Sequence, residues 1–334
     1  MSKEKSPSTS SGKPFPLGSS RDTDGINFAL YSKHGEHATL VLAPAEADAP
    51  GEYIEIPLTH ETNRTGDIWH IKLHTTTESF RYGYKVGGRD EVDRGILFFP
   101  DLILIDPYAR KIVPRAWGES SFYGSTPVCL TGADTEFDWQ DDAPPKIPLC
   151  DTIIYELHVR GFSRHSSSGV SHPGSYQGIV EKIPHLKKLG VTAVELLPVT
   201  EWDECDNRFI NPTTGEPLYN YWGYNPSSLF GLKSACGSSP SKAIDEFIAL
   251  VKALHRENIE VIIDVDYNHS GESDYSGITS SFRGIDNAGY YLVNEDDGSY
   301  LNFSGCGNTF SCNNPVVEEL ILQSLRYWVT EMHV

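Results

Sequence analysis

The chain has 334 residues, with 27 Lys and Arg against 46 Asp and Glu, a net charge of −19 at neutral pH and no basic block. That balance argues against nucleic acid and anionic membrane surfaces as partners and favours a neutral substrate. Its length suits about two domains, and the 17 Tyr and 6 Trp make it richer in aromatic hydrogen-bonding side chains than most globular chains. The six cysteines, Cys129, Cys150, Cys205, Cys236, Cys306 and Cys312, have neither CxxC spacing nor His partners at zinc spacing, so reduced thiols in an intracellular compartment are expected. No run is apolar and long enough for a signal peptide or a membrane span.

In chain order, residues 1 to about 13 read as a disordered lead rich in Ser, Lys and Pro. From Gly25 the texture is all-β: GINFALYS, ATLVLA, IEIPL, DIWHIKL and FRYGYKV, separated by turn residues. Alternation puts Ile26, Phe28 and Leu30 on one face of the first run. Five such runs predict a small β-sandwich. Trp69, Tyr82 and Tyr84 in it are candidate ligand contacts, with core packing the favoured reading. Residues 90–150 carry prolines without clear periodicity and read as a connecting region, with a boundary near residue 150.

From Asp151 strands alternate with helices. TIIYELHV (152–159) is a predicted strand and GIVEKIPHLKKLG (178–190) a helix closed by Gly190, in which Pro184 ends a first turn or makes a kink. VTAVELLPV (191–199) is the second strand, followed by a long Tyr-, Asn- and Gly-rich segment of the kind that carries function. A helix over 241–258 follows, with Ser241 as its expected N-cap. Then comes VIIDVDYNH (261–269), an apolar strand that turns polar at its C-terminal end. A last helix over 315–334 opens with Pro315. The order β-α-β-α-β-α predicts parallel strands joined by right-handed crossovers, three of the eight units of a closed barrel.

Several stretches are shared with a known family: IIYELHVRGF (153–162), GSYQGIVEKIPHLKKLGVTAVELLPV (174–199), YNYWGYNP (219–226), DVDYNH (264–269), SFRGIDNAGYYL (281–292), LNFSGCGNTF (301–310) and LRYWVTEMHV (325–334). The chain resembles the isoamylase-type debranching enzymes of the α-amylase superfamily, over about residues 14–334. The resemblance implies an α/β plus all-β fold. A β-sandwich carbohydrate-binding module (14–115) and a connecting region (116–150) precede the first three βα units of a (β/α)8 barrel (151–334). It implies retaining hydrolysis of α-1,6 branch linkages in glycogen or amylopectin by an Asp nucleophile and a Glu acid/base. Both are expected beyond Val334, so no principal catalytic residue is expected within 1–334, and the chain alone is expected to be inactive.

What carries over is a binding site. His269 matches a histidine that hydrogen-bonds the sugar at the cleavage subsite, and Tyr224 the aromatic ring on which that sugar stacks. Asp264 and Asn268 match framework positions, while Trp222 either lines the cleft or anchors its loop. Asp266 departs from the family pattern, which has a small apolar residue there. On an extended strand it would share a face with Asp264, about 7 Å away, where joint ionisation is disfavoured. A basic partner, a protonated Asp or lineage drift would each resolve this. Ser311 likewise stands where the family has Asn. No cofactor is implied, and a structural calcium rests only on Asn268. The expected partner is branched α-glucan, with an isoamylase subunit as a further candidate. The compartment is the plastid by resemblance, or the cytoplasm. The competing readings are an inactive α-glucan-binding or regulatory subunit and a non-functional fragment. Release of linear chains from amylopectin, against glucan co-sedimentation without turnover, separates hydrolase from binder.

Overall fold

In the computed structural model, residues 8–46, 53–119, 121, 123–132 and 137–334 are described. All five expected β-runs form strands, and four further short strands join them between residues 8 and 130. In order these are β1 (Ser8–Ser10), β2 (Gly18–Asp22), β3 (Gly25–Tyr31), β4 (His37–Pro44), β5 (Ile54–Leu58), β6 (Arg64–Thr65), β7 (Ile68–His74), β8 (Phe80–Gly87) and β9 (Cys129–Leu130). One helical turn, α1 (His60–Asn63), precedes β6.

The strands form two sheets, ordered β1-β7-β3-β2 with β6 on β7, and β5-β4-β8-β9. All pairings are antiparallel, with Phe28 opposite Ile71 in the first sheet and Leu40 opposite Tyr84 in the second. Phe28 of the first sheet meets Tyr82 of the second edge-on, ring centroids 5.2 Å apart. Trp69, Tyr82 and Tyr84 are all buried, so they pack the sandwich core and present no face to a glycan.

The disordered-lead reading is corrected over residues 8–13; residues 1–7 lie outside the described residues. Ser8–Ser10 pairs along β7, and the backbone of Lys13 exchanges two hydrogen bonds with the Asn27 side chain, at 2.7 and 2.9 Å. The composition is polar, but β7 offers an otherwise open edge whose backbone groups need partners. Coverage by this segment also explains why Asn27 is buried although it lies on the face opposite Phe28.

Three short strands, β10 (Ile154–Leu157), β11 (Ala193–Leu196) and β12 (Glu260–Ile263), form the expected parallel sheet. Glu156 pairs with Glu195, and Glu195 with Ile262. Leu157, Val194, Leu196 and Val261 are buried, whereas Ile154 and Glu156 of the opposite face are exposed. Four helices accompany these strands: α2 (Val159–Ser163), α3 (Tyr176–Val180), α4 (Ile183–Leu189) and α5 (Ala243–Arg256).

The single helix expected over 178–190 is two helices. Pro184 lies in the first turn of α4, where its missing N–H costs nothing, and it cannot continue α3. Gly190, at φ 79°, closes α4 with its amide on Leu186 and Lys187 carbonyls. Ser241 is not an N-cap: Pro240–Lys242 forms a 3-10 turn, and α5 starts at Ala243 without a side-chain cap. Burial of Phe247, Ile248, Leu250, Val251 and Leu254 holds α5 in place instead.

Two more helices follow, α6 (Phe282–Tyr290), kinked at Asp286, and α7 (Pro315–Thr330). No periodicity announced α6. By contacts, the described residues of 1–113, 122–136 and 268–321 form one compact unit, and those of 114–121, 137–267 and 322–334 a second. Chain order therefore does not separate them. Within the first unit, Ser32 Oγ donates to the Ile285 carbonyl (2.7 Å), and the Asp286 carboxylate accepts from His34 N (3.0 Å) and contacts His34 Nδ1 (2.8 Å). Buried Arg283 donates to the carbonyls of Glu272, Ser273, Asp274 and Gly277, while the Glu272 carboxylate accepts the amides of Ser280, Ser281 and Arg283.

Candidate functional site

The strand expected over 261–269 stops at Ile263. Asp264 extends the ladder by one bond, its amide to the Leu196 carbonyl at 2.8 Å, and the chain then leaves the sheet. Asp264, Asp266 and Asn268 thus lie beyond the end of the assigned strand.

The Tyr224 hydroxyl donates a short hydrogen bond to Asp264 Oδ2. Burial, the bond to Asp264 and the negative field of Asp264, Glu156 and Glu195 together push the phenol far above its ordinary range. Tyr224 therefore remains a neutral donor, and its ring is fixed by a charge-assisted bond. Trp222 is 64% exposed, with its ring 6.4 Å from that of Tyr224. It is not a buried anchor of the loop.

The anchor is a group of residues that local sequence gave no reason to select. Trp202, fully buried, donates its indole N–H to the Asn220 carbonyl at 2.8 Å. Gly223, at φ 90°, lies against its ring, where a Cβ would come within 3.1 Å; this close approach requires glycine immediately before Tyr224. Beneath them lies an ionic tetrad. Lys233 Nζ reaches Glu201 Oε1 (2.8 Å), Glu204 Oε2 (2.6 Å) and the Trp202 carbonyl (2.6 Å), and Arg115 reaches Glu201 (3.1 Å) and Glu204 (3.5 Å). All four side chains are buried. Burial opposes the Glu204 charge, but Lys233 and the Gly118 amide hold its pKa below the usual glutamate value. Two cations balance two carboxylates, which makes such burial tolerable. The four are separated by up to 118 residues of chain, with no local motif to betray them.

Asn268 and His269 belong to the first unit. His269 is buried, and its Nδ1 lies 2.6 Å from Asn268 Oδ1; with the amide oxygen accepting, that nitrogen carries the hydrogen. The Asn268 carbonyl accepts from the Phe310 amide (2.9 Å), and Asn308 bonds the Ser270 backbone in both directions. The segment is thus held on both sides of the imidazole. The Asn268 side-chain oxygen is engaged by His269, and among the described residues no group of three His, Cys, Asp or Glu is arranged to hold a metal. All six cysteines are free thiols, and among the described residues no helix is long and apolar enough to cross a membrane.

Residues 16–109 match carbohydrate-binding module 48 (isoamylase N-terminal domain), and residues 153–300 match the alpha amylase catalytic domain. The chain is 41% identical over 338 residues to isoamylase 1, chloroplastic, of Arabidopsis thaliana, spanning 97% of this chain and 43% of that protein. It is 43% identical over 341 residues to isoamylase 3, chloroplastic, of Oryza sativa subsp. japonica, again spanning 97% and 43%. Its fold resembles that of a pullulanase from Paenibacillus barengoltzii crystallised with maltohexaose and alpha-cyclodextrin (TM-score 0.77, 24% identity, 97% of this chain and 48% of that one). A Bacillus acidopullulyticus pullulanase is similar (TM-score 0.75, 27% identity, 96% and 37%). The chain spans less than half the length of each of these proteins. With a sandwich of the isoamylase N-terminal type followed by the first parallel strands of an amylase catalytic domain, the chain belongs to the isoamylase-type proteins of the α-amylase family.

Proposed function

We propose that the protein is a debranching glycoside hydrolase that cleaves α-1,6 linkages of glycogen- or amylopectin-like glucans with retention, in the plastid. The observation that carries this reading is the Tyr224–Asp264 pair at the C-terminal end of the parallel sheet, where enzymes of this architecture place their sites. Tyr224 presents an aromatic face to the C–H face of a glucose ring. Its hydroxyl cannot rotate away without breaking the bond to Asp264. These groups bind and orient.

Retaining cleavage needs a nucleophile and an acid/base about 5 Å apart. The test is release of linear chains from amylopectin by the full-length protein, compared with Tyr224→Ala. Release that depends on Tyr224 supports the assignment. Glucan co-sedimentation with no chains released would replace it with the inactive-subunit reading.

A further inference from the structure

We infer that the second unit carries a phosphate-binding cleft whose ligand class is a phosphorylated sugar. The cleft, of about 280 Å³, is lined by Trp117, Arg160, Arg164, His172, Pro173 and Pro240 among others. Arg160 and Arg164 stand four residues apart, in α2 and at its C-cap, so both leave the same side of the helical turn. Arg160 lies over the Trp117 indole, 4.3 Å from its ring, which aims the guanidinium along the cleft wall.

Among the described residues, neither guanidinium has a hydrogen-bond acceptor or a carboxylate at ion-pair distance. That is unusual in a chain with 46 acidic residues. The carboxylates around the cleft are committed elsewhere. Glu181 accepts the amides of Ser171 and His172, Glu246 that of Ser238, and Glu204 holds Lys233 and the Gly118 amide. Burial, followed by the like charge of Arg164, lowers the pKa of Arg160.

Two guanidinium forks match the oxygens of a phosphomonoester better than any neutral group, and His172 also lines the cleft. Pro173 and Pro240 give the apolar wall against which a sugar C–H face can lie. The sugar half of this assignment rests on the glucan reading above, whereas the phosphate half stands without it.

Isothermal titration of the full chain with inorganic phosphate, glucose 6-phosphate and maltotriose tests the inference. Glucose 6-phosphate should bind saturably, at least about fivefold more tightly than inorganic phosphate, and maltotriose should not displace it. Arg164→Gln, at an exposed position, should weaken binding about tenfold or more with the ligand-free melting temperature unchanged. Arg160→Lys, which keeps the charge but loses the fork, should weaken it severalfold. No saturation by either phosphate up to about 10 mM, or unchanged binding in Arg164→Gln, would overturn the site. Equal binding of the two phosphates would reassign it to free phosphate. Displacement by maltotriose would mean that the cleft reads sugar and not phosphate.

Discussion

Lys233→Met is the sharpest test of how the loop bearing Tyr224 is held. The lysine stem is replaced by one of similar length, so the lost element is the ammonium, with its three donated bonds to Glu201, Glu204 and the Trp202 carbonyl. The tetrad then has one cation for two carboxylates, and Arg115 reaches them only at 3.1 and 3.5 Å. Removing one partner of a buried pair costs about 3–5 kcal/mol, because the remaining charge stays desolvated. For a folding unit of this size each kcal/mol moves the melting temperature by roughly 2–4 °C, so a fall of about 10 °C is expected in thermal melts followed by circular dichroism. Lys233→Met combined with Glu204→Gln restores neutrality and should recover about half of the loss. High salt should change neither value much, since buried charges are weakly screened. A fall in Lys233→Met of less than about 2 °C, or a double variant as unstable as the sum of the singles, would refute the reasoning.

At the candidate site, Tyr224→Phe keeps the ring and loses the bond to Asp264; glucan affinity should fall about three- to tenfold, against a larger loss in Tyr224→Ala, as read by affinity electrophoresis. The Asp142 carboxylate accepts His333 and His255; burial raises its pKa, but these two bonds outweigh that and leave it depressed. A depressed carboxylate contributes stability that is full above the unfolded value and lost as pH falls through the folded one. Asp142→Asn should therefore melt lower than the parent at pH 7, and the gap should close as both are taken below pH ~4. Gly12 sits at φ 74°, where a Cβ would meet Asn27 Oδ1 and the Ile71 carbonyl carbon at 2.7 Å; Gly12→Ala should cost about 1–3 kcal/mol in denaturant melts, whereas a truly disordered lead would show no change. Iodoacetamide should label Cys150, Cys205, Cys306 and Cys312 in the native protein, while Cys129 and Cys236, buried and with raised thiol pKa values, label only on unfolding.

Wherever a residue's role follows from its near neighbours, the sequence was enough. Alternation placed all five long sandwich strands, and the switch to β-α alternation at residue 151 predicted the parallel sheet. Gly190 marked the end of α4 because an αL cap is a local requirement. Reading failed where the deciding partner is distant. Ser8–Ser10 is a strand because of β7, more than sixty residues on. Ser241 loses the cap role because Pro240 starts a tighter turn. Trp222 stands in the WGY run and Trp202 outside it, yet Trp202 is the one that fixes the loop. The tetrad joins Arg115 to Glu201, Glu204 and Lys233, and nothing in their spacing predicts a contact.

The charge arrangement of the second unit adds a physical argument about what it binds. Glu156 and Glu195 are paired across β10 and β11, and both act with Asp264 on the Tyr224 phenol. A surface so negative repels carboxylates and phosphates but accepts hydrogen bonds from the hydroxyls of a neutral sugar. The cleft at Arg160 and Arg164 has the opposite character: cations without acidic partners, in a chain whose overall field is negative. On the proposed readings, a neutral glucan would gain at the first surface, whereas a phosphorylated sugar would be repelled by the first and held at the second. Glucan binding that is insensitive to ionic strength, beside glucose 6-phosphate binding that weakens steeply with salt, is the paired outcome this arrangement requires. If both ligands responded to salt alike, charge would not be sorting them.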